Sequence, residues 1–207
     1  HMSFRRFIQD LVQYRLMVFI ALGLFVAGIL AGVVFTDELG AMIEPQIEAL
    51  QEMGGKLSQS PSPELSFFIF IFLNNAVKSL FIMGLGALFG FMPIVFLVMN
   101  GMVLGFLVHA ALAQGANMFD LIVKGLLPHG IIEIPAIVVA AAYGLQFGYL
   151  VMKSIGELGA RDRHERSVKW GTFFRAVGTA AIWITVALLV AAIIESTITF
   201  HLVQNIK

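Results

Sequence analysis

Apolar residues run in long unbroken blocks along this chain, and the polar positions between them fall into a few short clusters. Residues 16–35 contain no charged side chain and no amide. About 20 such residues cross the roughly 30 Å of hydrocarbon in a bilayer, so this block predicts a transmembrane helix. Four further blocks follow, at residues 66–91, 93–113, 128–152 and 173–194. Residues 36–65 form the one extended polar stretch, with Asp37, Glu38, Glu44, Glu48, Glu52 and Glu64 set against Lys56. Within it Ile43, Ile47 and Leu50 recur at helical spacing, which predicts an amphipathic helix on a membrane surface or against a partner, ended by Gly54-Gly55. The residues before the first span read as another short amphipathic helix. In the first span Gly28 with Gly32, and Gly23 with Ala27, make two small-residue pairs that predict a close helix neighbour.

Composition agrees with this pattern. Hydrophobic residues make up 59% of the 207 residues and charged residues 13%, about half the share in soluble domains. The mean hydropathy is +0.91. A formal net charge of zero gives no reason to expect a nucleic-acid partner. The absence of cysteine excludes disulfides and thiolate metal sites. Basic residues crowd one side of the expected membrane: Arg5, Arg6 and Arg15 before the first span, then Lys153, Arg161, Arg163, Arg166, Lys169 and Arg175 in and around the loop at residues 153–172. The other side has Lys56, Lys124 and Lys207. The basic side is therefore expected to be cytoplasmic, with the amino terminus inside and the carboxyl terminus outside. The expected fold is all-α: one integral membrane domain over residues 1–207, a bundle of five transmembrane helices plus a short amphipathic extracytoplasmic helix.

Polar side chains inside the spans carry the candidate chemistry. Asn74, Asn75 and Lys78 interrupt the second span, Asn100 the third, and His109 stands near the end of the third. Pro128 tolerates the first turn of a helix, which would set His129 and Glu133 four residues apart on one face of the fourth span. Glu195 closes the fifth. An isolated polar group facing lipid is costly, so these groups are expected to converge into one buried cluster. Three uses fit such a cluster. It could hold a divalent metal such as zinc through His129 and Glu133 with His109 or Glu195. It could serve as a proton, ion or substrate site in a transporter or channel component. It could also be a structural network that locks the bundle, as buried polar networks do. No His-Glu-x-x-His string is present, which disfavours a zincin-type site. An intramembrane metal-dependent hydrolase would need a further ligand that the sequence does not place.

The Asn74-Asn75 pair, Asn100-Gly101, the string Leu127-Pro128-His129-Gly130 followed by Glu133, Gly144, and Ile194-Glu195 with Thr199 resemble the stage II sporulation protein M family. Thr199 is followed here by Phe200, where the family pattern tends to have proline. The resemblance implies a five-span protein of the bacterial cytoplasmic membrane that anchors and positions peptidoglycan hydrolases, whose catalytic work belongs to the partners. The function expected on this reading is a non-enzymatic membrane scaffold, a homodimer among membrane lipids, that holds extracytoplasmic peptidoglycan-remodelling enzymes. In spore formers the role would be one in engulfment.

Overall fold

A helix enclosed on several sides has to be narrow, and the fourth apolar block supplies the small residues for it. The computed structural model describes residues 2–88, 90–113, 115, 117, 130–158 and 168–204, without the side chains at 47, 50 and 198–204. Seven helices appear among them: α1 (Phe4–Gln13), α2 (Arg15–Val34), α3 (Thr36–Ser58), α4 (Pro63–Leu85), α5 (Phe91–Ala113), α6 (Glu133–Gly156) and α7 (Trp170–Gln204). The described residues contain no strand. Five helices, α2, α4, α5, α6 and α7, are long and apolar enough to cross a membrane. Half of the apolar window of α6 is buried, more than in the other four. Ala136, Ala140, Ala141, Ala142, Gly144 and Gly148 line its buried surface.

Two packed groups share α6. On one side Ala76 and Met83 of α4 meet Ala136, Ala140 and Tyr143 of α6 and Phe173, Ala176, Ala180, Ile184 and Leu188 of α7. On the other side Ala21 and Phe25 of α2 and Leu97 of α5 meet Val138, Ala141, Ala142 and Leu145 of α6, together with Ile82 of α4. Dispersion between such closely fitted surfaces holds helices together where lipid removes the hydrophobic drive.

Backbone approach fixes the register. A Cβ on Gly28 would strike the backbone of Val98, and one on Gly32 the backbone of Met102. From the facing side, Cβ atoms on Gly101 and Gly105 would strike α2 at Phe25 and Ile29. The two helices thus run parallel, each presenting a small-xxx-small pair to the other. Gly23 has open space around its Cβ position and Ala27 is exposed, so only one of the two pairs expected in α2 is used. Gly144 performs the same task between α4 and α5, where an added Cβ would lie 2.6 Å from the carbonyl oxygen of Ile82 and 2.7 Å from Cγ of Pro93. Gly90, at φ +79°, turns the chain from α4 into α5 in a conformation that side chains other than glycine's rarely adopt.

The helix expected in the polar stretch is present and ends later than its glycines suggest. Helix α3 follows α2 after a turn at Phe35 and runs through Gly54-Gly55 to Ser58. Ile43 is buried and Gly40 faces the ring of Phe106, which braces the start of α3 on α5. At the amino terminus, Ser3 caps α1 by accepting the N–H of Arg6 at 3.2 Å. Helix α1 lies along α7: Phe4 packs edge-on to Trp183 at 5.2 Å, and the Trp183 indole N–H donates to the carbonyl of Met2 at 3.1 Å.

Candidate functional site

The crossing of α4, α5 and α6 at Gly86, Pro93 and Gly144 gives a common reference depth. Gly90 faces Leu145 while Pro93 faces Gly144, so α6 runs antiparallel to α5 and in the same sense as α4. At a rise of 1.5 Å per residue, Asn75 and Glu133 both lie about 16 Å from that crossing, Lys78 about 12 Å and Asn100 about 10 Å. The mid-span polar groups therefore occupy one depth band. They do not share one surface.

Asn75 is buried and Asn74 half-buried on α4, while Lys78 is exposed. Asn100 points out of the bundle and satisfies its amide on its own helix, Nδ2 donating to the carbonyl of Phe96 at 2.7 Å. His109 is exposed near the end of α5. The expected convergence of all these groups is thus replaced by an inward set, Asn75 with Glu133, and an outward set, Lys78, Asn100 and His109. The physical reason is helical phase: Asn75 falls on the same side of α4 as Ala76, Ser79 and Met83, whereas Lys78 falls beside the exposed Val77 and Phe81.

Glu133 occupies the first turn of α6, where a carboxylate is favoured by the helix dipole, and its Oε2 is shielded from solvent. A turn at Ile131 and Ile132 directly precedes Glu133, which begins α6. His129, Pro128 and Leu127 lie outside the described residues. Glu195 is 8% exposed on α7, next to Ser196 at 3%. Beyond it the Thr197 hydroxyl bonds to Oε1 of Glu64 at 3.4 Å, tying the end of α7 to the start of α4. A shallow groove of about 610 Å³ opens there, lined by Ser62, Glu64, Phe68, Ile193, Ser196 and Thr197. Among the described residues no three His, Asp or Glu side chains are grouped closely enough to hold a metal, so His109, Glu133 and Glu195 do not form a three-donor set.

A second polar site, not expected from the sequence, lies at the other end of the bundle. Asp10 is 4% exposed on the inner side of α1. Its Oδ1 meets Nε of Arg6 at 3.5 Å, and its Oδ2 is buried without a hydrogen-bond partner. Burial raises the Asp10 carboxyl above its ordinary value of 3.8, against the lowering pull of Arg6. Burial and the Asp10 charge together raise Tyr14. Tyr14 stacks edge-on with Tyr143 at 5.7 Å and Phe173 at 6.2 Å, and the Tyr143 hydroxyl is likewise buried and unsatisfied. The sequence does contain a signal for this site. Asp10 stands three residues after Phe7 and four before Tyr14, on the apolar face of α1.

Four apolar helices packed round a narrow fifth, with Asn75 buried and Glu133 half-buried in one depth band, define a multi-pass helical membrane protein. Residues 21–200 match the model of the family described as stage II sporulation protein M, and the chain belongs to that family. No curated protein and no solved structure matches the chain. Helix α1 and its Asp10 precede the matched region.

Proposed function

We propose that this chain is a membrane scaffold that positions peptidoglycan-remodelling enzymes on the outer face of a bacterial cytoplasmic membrane, the basic end of the bundle facing the cytoplasm. The observation that carries the reading is the surface of α3. Glu44, Glu48 and Glu52 are exposed at successive four-residue steps, which places them in one stripe along the helix. Like charges at that spacing destabilise a helix by roughly 0.2–0.5 kcal/mol per pair, and among the described residues the cation in reach is Lys56, 3.3 Å from Glu52. Helix α3 is nonetheless braced on the bundle through Ile43 and Gly40. An acidic ridge braced on the bundle outside the apolar spans is suited to gather basic faces of partner enzymes, and family membership supports wall-remodelling enzymes as those partners. Inside the bundle, Asn75 and Glu133 serve the packing of α4 and α6.

The test is localisation in the native host. Replacing Glu44, Glu48 and Glu52 together with lysine is expected to disperse a fluorescently tagged peptidoglycan hydrolase from the sites where this protein concentrates, while the protein itself stays in the membrane at its normal level. A hydrolase distribution that the triple replacement leaves unchanged counts against the scaffold reading.

A further inference from the structure

The outward side of α4 carries a feature that the bundle itself does not use. Ser66, Ile69, Phe70, Leu73 and Val77 line a groove of about 590 Å³, closed at one end by Leu57 of α3 and edged by Asn74 and Lys78. Steps of three and four residues along that line make a seam of the kind that receives another helix. Ile69 is 46% exposed, Leu73 51% and Val77 48%. Lys78 is exposed beside them with no hydrogen-bond or ion-pair partner among the described residues. It stands about 12 Å from the Gly86 crossing, inside the apolar length of the span, too deep for its stem to carry the ammonium to either surface.

We propose that this groove receives a transmembrane helix of another protein that carries a carboxylate at mid-span, with Lys78 pairing to the carboxylate and Asn74 hydrogen-bonding beside it. Charge complementarity selects this occupant. Acyl chains match the apolar seam but offer no acceptor at that depth, where an unpaired ammonium is expensive. A second copy of this chain fails for a different reason. Copies inserted the same way round and related by an axis along the membrane normal meet at equal depths. At the depth of Lys78 the exposed described residues include no carboxylate; the exposed ones lie on α3 and at the start of α4. Lys78 would meet apolar surface or its own counterpart. The inference rests on the scaffold reading for the idea that partners are membrane-anchored, and adds where and by what chemistry they dock.

The test uses the full chain in phosphatidylcholine vesicles with two synthetic leucine-alanine transmembrane peptides, identical except for glutamate or leucine at the centre. Energy transfer between labelled protein and peptide reads association. The glutamate peptide is expected to associate at least tenfold more tightly than the leucine peptide, Lys78→Met to abolish the difference, and Lys78→Arg to keep it. Equal association of both peptides, or a preference that survives Lys78→Met, overturns the proposal. So does transfer between two labelled copies of the chain that depends on Lys78 while the peptides show no preference. A chain that holds hydrolases in place yet shows no glutamate preference overturns this inference alone. A glutamate preference with hydrolases unaffected by the α3 replacements sustains the inference and removes the scaffold reading.

Discussion

Asp10 is a liability to the fold at neutral pH, and its environment fixes how that liability varies with acidity. Burial lifts its folded pKa above 3.8, so the folded protein binds the proton more tightly than the unfolded chain does. Its stabilising contribution is therefore complete below 3.8 and is lost as pH rises through the elevated folded value. Docking of α1 is expected to tighten on acidification over that window. Trp183 reports it directly, because its indole bonds to Met2 and packs on Phe4. In a Trp170→Phe background the Trp183 emission should shift between pH 7 and acid in the native chain and stay flat in Asp10→Asn. At neutral pH Asp10→Asn should raise stability in detergent, because the amide leaves no charge to desolvate at this buried position. An emission shift that persists in Asp10→Asn would remove Asp10 as its cause. At this scale the sequence is legible in kind and not in placement. It marks Asn74, Asn75, Lys78, Asn100 and Glu133 as polar groups inside spans. The inference that they all face one another treats the single chain as the whole assembly, and for Lys78 and Asn100 helical phase decides otherwise.

Helix boundaries and helix contacts divide differently between sequence and structure. Each apolar block coincides with a long helix, since a bilayer demands long apolar runs. In the fourth block the described helix α6 begins at Glu133 after a turn at Ile131 and Ile132, and Pro128 lies outside the described residues. In the polar stretch α3 ends later than Gly54-Gly55 suggests, because two glycines weaken a helix without ending it. Small-residue pairs predict close packing without saying which pair is used. The structure separates them by contact. Gly32→Ala should cost about 1–3 kcal/mol, the range for forcing atoms into a filled interface, because the new Cβ meets the Met102 backbone, with Met102 C at 2.9 Å. Gly23→Ala, in the same helix with nothing within 4 Å, should be neutral or stabilising by up to about 1 kcal/mol, since alanine favours helix. Thermal unfolding of the two variants in one detergent compares them; equal losses at both positions would contradict parallel packing of α2 on α5.

Across the whole molecule most exposed charges sort to opposite ends, and that sorting is legible without coordinates because it follows from where the charges stand relative to the apolar spans and not from packing. Arg15, Lys153, Lys169 and Arg175 are exposed at one end, and Glu44, Glu48, Glu52 and Glu64 at the other. The lock between ends is less legible, since Glu64 with Thr197, and Tyr14 with Tyr143, join residues far apart in the chain. If excess positive charge holds the basic end in the cytoplasm, α3 projects outward, and every function proposed for its acidic ridge depends on that orientation. The chain has no cysteine, so single introduced thiols read sidedness without background. In cells with the outer layers removed and the cytoplasmic membrane intact, Glu52→Cys should react with a membrane-impermeant maleimide. Lys169→Cys should react only after the membrane is opened. The reverse pattern would place the acidic ridge in the cytoplasm, out of reach of the wall, and would leave the helix bundle unchanged while removing the scaffold role built on it.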